Sequence, residues 1–184
     1  CSQPTCRRPR LVATYYDMLR RNCRRCTVLG AEVLDQPNMV SWVRTFEAKA
    51  KVRPKVWGLH NYLDANRMRT IGTRRLLAHT RGQVWFTETG GIVKRRVRRK
   101  IHFPESTAHA ARATRWVFQK LVPLSRRVTR VYLYHWNPAG PKDTWDSALL
   151  SVHGKPRPAF EVLRREMAAV ARARARSRAR ANRR

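Results

Sequence analysis

Four short runs rich in β-branched and aromatic residues punctuate the chain, at 27–34, 56–60, 84–88 and 131–136. Taken at Val28, Val56, Val84 and Val131, their starts lie 28, 28 and 47 residues apart. Between them apolar positions recur at helical spacing. A helix expected over 9–22 would present Leu11, Tyr15, Met18 and Leu19 on one face, and one over 38–50 Met39, Trp42, Val43 and Phe46. Helices over 70–80, 105–122 and 158–171 would present Ile71, Leu76 and Leu77; Ala110, Ala113, Val117 and Leu121; and Phe160, Leu163 and Met167. Ser106 stands where an N-cap belongs, and Pro158 suits a first helical turn. Strand–helix alternation at this period predicts an α/β fold of about four βα units with parallel strands. That amounts to half of an eight-stranded barrel, a partial TIM (β/α)8 barrel. A small doubly wound sheet fits the same spacing, but its Gly-rich first turn, G-x-G-x-x-G, is absent.

Strict alternation along the runs assigns their faces. Val84, Phe86 and Glu88 would share one face, as would Val56, Gly58, His60 and Tyr62, and Tyr132, Tyr134 and Trp136. If those faces line a barrel, Glu88, His60, Tyr62 and Trp136 converge at the C-terminal mouth, where such folds keep their active sites. Glu88 is one of only 11 acidic residues and is followed within two positions by Gly90-Gly91. A carboxylate, an imidazole, a phenol and a large aromatic ring together suit a carbohydrate site.

Charge complicates this picture. The chain has 184 residues, 41 of them Lys or Arg, and a net charge of +30. Such a balance suggests a nucleic-acid or polyanion partner, since cations on phosphates release counterions. The segment 171–184 is Ala/Arg-rich and holds seven of the arginines, and it is expected to be a disordered or frayed-helix tail beyond a domain spanning 1–170. Much of the rest comes as scattered pairs such as Arg20-Arg21 and Arg74-Arg75, the pattern of solvated helix faces. A basic loop, Lys94, Arg95, Arg96, Arg98, Arg99 and Lys100, would overhang the mouth, either as a solvated loop of an Arg-rich chain or as a surface favouring anionic glycans. Cys1, Cys6, Cys23 and Cys26 can be read as zinc ligands of an interaction module or as disulfides, with Cys1–Cys6 and Cys23–Cys26 the expected pairing. The chain begins at Cys1 rather than Met and is read as processed or truncated. No apolar run reaches the ~20 residues a bilayer needs.

The residues at 56–64, Val-Trp-Gly-Leu-His-Asn-Tyr-Leu-Asp, resemble the sixth strand of clan A glycoside hydrolases, retaining glycosidases built on a (β/α)8 barrel. Those at 84–91 are similar to the seventh strand, which carries the nucleophile, and those at 131–137 to the eighth. The stretches 145–150 and 154–160 resemble the closing loop and last helix. The likeness spans about 27–167 and implies a retaining O-glycosyl hydrolase of a β-linked oligo- or polysaccharide, present as its C-terminal half, strands five to eight. It makes Glu88 the nucleophile and Tyr62 its hydrogen-bonding partner. His60 and Asn61 would contact the sugar or the nucleophile's surroundings, and Trp136 would floor the subsite, with Trp145 and Trp57 as further aromatic candidates. The family's acid/base Glu follows an Asn on the fourth strand, which would lie upstream of Cys1. Glu32 is the best internal substitute, with Asp35 and Asp64 behind it, but is better read as a polar residue of the mouth. Glu105 reads as first-turn helix charge. The expected state is an enzyme fragment with little activity, needing no metal or cofactor, from an extracellular or cell-envelope protein. The competing expectation is a basic nucleic-acid or polyanion binder without catalysis.

Overall fold

A computed structural model describes residues 3–96 and 102–181. Its spine is a parallel sheet of β1 (Glu32–Leu34), β2 (Val56–His60), β3 (Gln83–Thr89) and, after a two-residue β4 (Lys94–Arg95), β5 (Val128–Leu133). The order in the sheet follows the order in the chain, and each neighbouring pair is parallel. Parallel neighbours require crossovers, and helices supply them. These are α3 (Met39–Lys49), then α4 (Tyr62–Asn66) with α5 (Ile71–His79), then α6 (Thr107–Trp116). Two helices, α1 (Pro4–Arg7) and α2 (Pro9–Asn22), precede β1, and α7 (Pro158–Ala181) closes the described chain. The fold is α/β, four βα units of a partial barrel.

The core lies between the sheet and the helices. Val33, Trp57, Leu59, Val84 and Phe86 point from the strands into Val43, Phe46, Leu76, Val117 and Leu121 from the helices. Trp57 is fully buried with its ring 5.3 Å from that of Phe46, so it is a core residue and no sugar platform. Burying side chains of this size is worth about 2 kcal/mol each. The opposite sheet face carries Glu32, Trp85, Arg130 and Tyr132 and is open. Arg130 stacks 4.3 Å from the Trp85 ring centroid, and Tyr132 is 45% exposed.

Several sequence expectations need correction. In α2 the buried residues are Ala13 and Tyr16, with Tyr16 edge-on to Phe46, while Tyr15, Met18 and Leu19 are exposed. The apolar stripe chosen from sequence was the larger one, but the smaller one meets the core. Ile71 and Met167 are likewise exposed. The first strand is confined to Glu32–Leu34, and just before it Gly30 lies against Pro54, where a Cβ would sit 2.4 Å from the proline ring. Beyond residue 171 the chain continues as exposed helix to Ala181. Ser106 does cap α6, accepting from the His109 N–H at 2.9 Å. Cys23 and Cys26 are bridged, and no cluster of His, Cys, Asp or Glu suited to a metal occurs among the described residues. Cys1 lies outside those residues, so the proposed partner of Cys6 does too.

Candidate active site

The third strand does not alternate as its sequence suggests. Gly58 pairs with Trp85 and His60 with Glu88, so β3 spends three residues where β2 spends two. The same extra residue shows against β5, between Phe86 and Thr89. This is a β-bulge, and it turns consecutive side chains to one side. Val84 and Phe86 face the helices, and Glu88 reaches the opposite, open face only because the bulge shifts parity after Phe86. The expected common face of Val84, Phe86 and Glu88 is thus overturned, although Glu88 still arrives at the C-terminal end of the sheet.

There three groups converge. The Tyr62 hydroxyl, at the first turn of α4, donates to Glu88 Oε1 at 3.1 Å. His60 Nδ1 lies 3.5 Å from Glu88 Oε2, and its Nε2 lies 3.7 Å from Glu32 Oε2. Burial opposes charge on His60, but the carboxylates of Glu32, Glu88 and Asp35 outweigh it and raise its pKa above the ordinary value. Glu32 is shifted down, chiefly by its contact with His60. Tyr62 is pushed far up by burial and by the neighbouring Glu88, which keeps its proton in place as a donor. Trp145, from β6 (Trp145–Asp146), stands edge-on to Tyr62 at 4.9 Å. Arg95 sits 5.5 Å from the Trp145 centroid, carried there by the antiparallel pairing of β4 with β6. Of the expected basic loop, Lys94, Arg95 and Arg96 are described, whereas Arg98, Arg99 and Lys100 lie outside the described residues.

Other predicted site residues are placed elsewhere. Trp136 is 56% exposed and packs on Phe160, 5.8 Å away at the start of α7, so the ring beside Tyr62 is Trp145. Asn61 is fully buried, and neither end of its amide finds a hydrogen-bond partner among the described residues. Asp35 and Asp64, the reserve acids, cap backbone instead. Asp35 accepts from the N–H groups of Leu63 and Asp64, and Asp64 from those of Gly72 and Thr73. Glu105 is exposed immediately before the Ser106 cap. A cleft of about 330 Å³ runs along the free edge of β1, lined by Thr5, Met39 and Trp42, and Glu32 alone of the Glu88 cluster borders it.

Sequence reasoning missed the supports of this site. Buried Asn66 donates to the carbonyls of Tyr62 and Gly90, and its Oδ1 accepts from Ile92 N–H and His109 Nε2. It thereby ties the turn after Glu88 to two helices. Burial holds Asp146 back from ionising, but the bidentate Arg157 guanidinium at 2.7 and 2.8 Å prevails and lowers its pKa. That pair pins the segment bearing Trp145 to the start of α7. Both Asn66 and Arg157 were unremarkable as isolated letters, since nothing local marks a residue with partners as far as 43 and 11 positions away, respectively.

An acidic and aromatic cluster at the C-terminal ends of parallel strands, on a half-closed βα sheet, defines a barrel-type site. Solved glycoside hydrolases share the fold. An endo-1,4-β-xylanase from Caldicellulosiruptor owensensis matches with a TM-score of 0.59 at 14% identity, over 82% of this chain and 52% of its own. Xylanase 10B from Thermotoga maritima matches at 0.59 and 11% identity, over 88% and 52%. A GH128 exo-β-1,3-glucanase from Aureobasidium namibiae matches at 0.55 and 14%, over 86% and 61%. The chain therefore spans half to three-fifths of these proteins' length. No protein-family model matches it, and no curated protein does. No helix among the described residues is long and apolar enough to cross a membrane.

Proposed function

We propose that this chain carries the nucleophile side of a retaining glycosidase acting on a β-linked oligo- or polysaccharide. The observation that carries the reading is the paired hold on Glu88, with Tyr62 donating at 3.1 Å and His60 3.5 Å away at a sheet's C-terminal end. One Glu88 oxygen attacks the anomeric carbon as the bond to the aglycone oxygen breaks, giving a glycosyl ester that water later cleaves. The departing oxygen needs a proton, and the donor in such enzymes stands about 5 to 5.5 Å from the nucleophile. Asp35 and Asp64 are committed to capping, and Glu32 is engaged with His60. Ordinary glycosides should therefore turn over little on this chain alone. The Cys23–Cys26 bridge supports an extracellular or cell-envelope setting.

Dinitrophenyl 2-deoxy-2-fluoro-β-xyloside and -glucoside test this directly, because dinitrophenolate leaves without a proton and fluorine slows hydrolysis of the ester. The peptide containing Glu88 should gain the mass of one fluorosugar, and Glu88→Gln should abolish the gain. An unlabelled wild-type chain, or label retained in Glu88→Gln, overturns the reading.

A second reading has its own support. Half-buried Trp85 with exposed Arg130 and Tyr132 forms a stacking array on the open sheet face, with an Arg130 N–H donating to the Tyr132 hydroxyl at 3.3 Å. Aromatic rings and guanidinium on an open sheet suit single-stranded nucleic acid.

A further inference from the structure

We infer that Glu32 is a positioning residue for Glu88, acting through His60, which it holds by Nε2 so that Nδ1 stays turned to the Glu88 carboxylate. The three side chains come from three successive strands in register. Leu34 lies opposite His60 and His60 opposite Glu88, so Glu32, two residues earlier, reaches forward along β1. Gly58 makes the approach possible. A Cβ there would lie 2.8 Å from both Glu32 Cγ and Thr87 Oγ1, so any larger residue would occupy the gap that Glu32 crosses.

An imidazole can donate from both ring nitrogens only as the imidazolium. With a carboxylate at 3.7 Å from one nitrogen and another at 3.5 Å from the other, that form is the one this geometry suits. Asp35 adds a third negative group near the ring once it ionises, and burial is the opposing influence. The consequence falls on Glu88. Tyr62 hydrogen-bonds Oε1 and the imidazolium lies in ion-pair range of Oε2, so the two contacts together restrain the carboxylate. Without Glu32, Nε2 has no anionic partner, and a neutral ring can turn an unprotonated nitrogen toward Glu88.

The purpose assigned to Glu32 rests on the glycosidase reading, but its test needs no turnover. Imidazole 15N and 1H shifts are followed through a pH titration of the full chain, wild type and Glu32→Gln. The wild-type His60 should titrate above the ordinary value, with both nitrogens protonated below its midpoint. Glu32→Gln should move the midpoint to lower pH, while Glu88 labelling by the fluorosugar slows and its pH profile follows the His60 titration. Unfolding of the variant would leave the wild-type shifts to decide, since a His60 midpoint at or below the ordinary histidine value overturns the inference. An unchanged midpoint in folded Glu32→Gln also overturns it. Absence of labelling with the His60 shift intact would strike the glycosidase reading and leave the clamp standing.

Discussion

Single residues do most to hold the loop after Glu88. Asn66 satisfies both donors and both acceptor sites of its amide inside the protein, a complete use of its hydrogen-bonding capacity. Asn66→Ala should cost about 3 kcal/mol by leaving the Gly90 carbonyl and the Ile92 N–H buried and unpaired, measured as a shift in urea midpoint. Asp35 gives a pH dependence of defined sign. Burial, with Asp64 nearby, pushes its carboxyl up to about 7 from an unfolded value of 3.8. Folding thus favours its protonated form. Its contribution is whole below the unfolded value and is lost as pH rises through about 7. Asp35→Asn should flatten the fall in melting temperature between about pH 4 and 7, read as the difference from wild type, which removes the shared effects of the histidines. At this scale the sequence was legible where chemistry is rare and position local: Glu88, Tyr62 and His60 stood out at strand ends and do meet. It was illegible for Asn61 and Trp136, whose burial and packing depend on neighbours far along the chain.

At the scale of elements, periodicity located α2, α3 and α5 within a residue or two, because 3.6-fold spacing persists over several turns. It failed where one element departs from its own period. The bulge in β3 reverses parity between Phe86 and Glu88, and a single inserted residue leaves no mark in an apolar run. The two-residue pairing of β4 with β6 is too short to show a pattern, yet it brings Arg95 to Trp145. Arg126-Arg127 is another adjacent pair of the kind read as solvated, yet Arg127 donates to the carbonyls of Leu77, Thr80 and Gly82 and so closes the end of α5. Packing between elements also sets a sharp limit at Gly91. A Cβ there would lie 2.2 to 2.6 Å from the backbone of Ala110 in α6, and backbone cannot swing aside as a side chain can. Gly91→Ala should therefore cost roughly 3 kcal/mol, near the upper end of overpacking effects. Chemical denaturation would show it, with an unchanged midpoint ruling out the close approach.

For the whole molecule, with its charge of +30, two features could engage a polyanion. One is the exposed C-terminal part of α7, where Arg172, Arg174, Arg176, Arg178 and Arg180 recur at every second position and so spread around the helix rather than along one face. The other is the array of Trp85, Arg130 and Tyr132 on the open sheet. A diffuse cationic helix attracts any polyanion through counterion release, whereas an aromatic array gains only from bases that can stack. Heparin has charge but no bases, so comparing it with a single-stranded oligonucleotide separates the two. If the sheet's business is with sugars at its C-terminal end, a chain lacking 171–184 should bind both ligands weakly and with the same steep salt dependence. Trp85→Ala should then change neither. A preference for the oligonucleotide that survives high salt and is lost in Trp85→Ala would transfer the function to the open face, because stacking is the one contribution that salt leaves largely intact and heparin cannot supply.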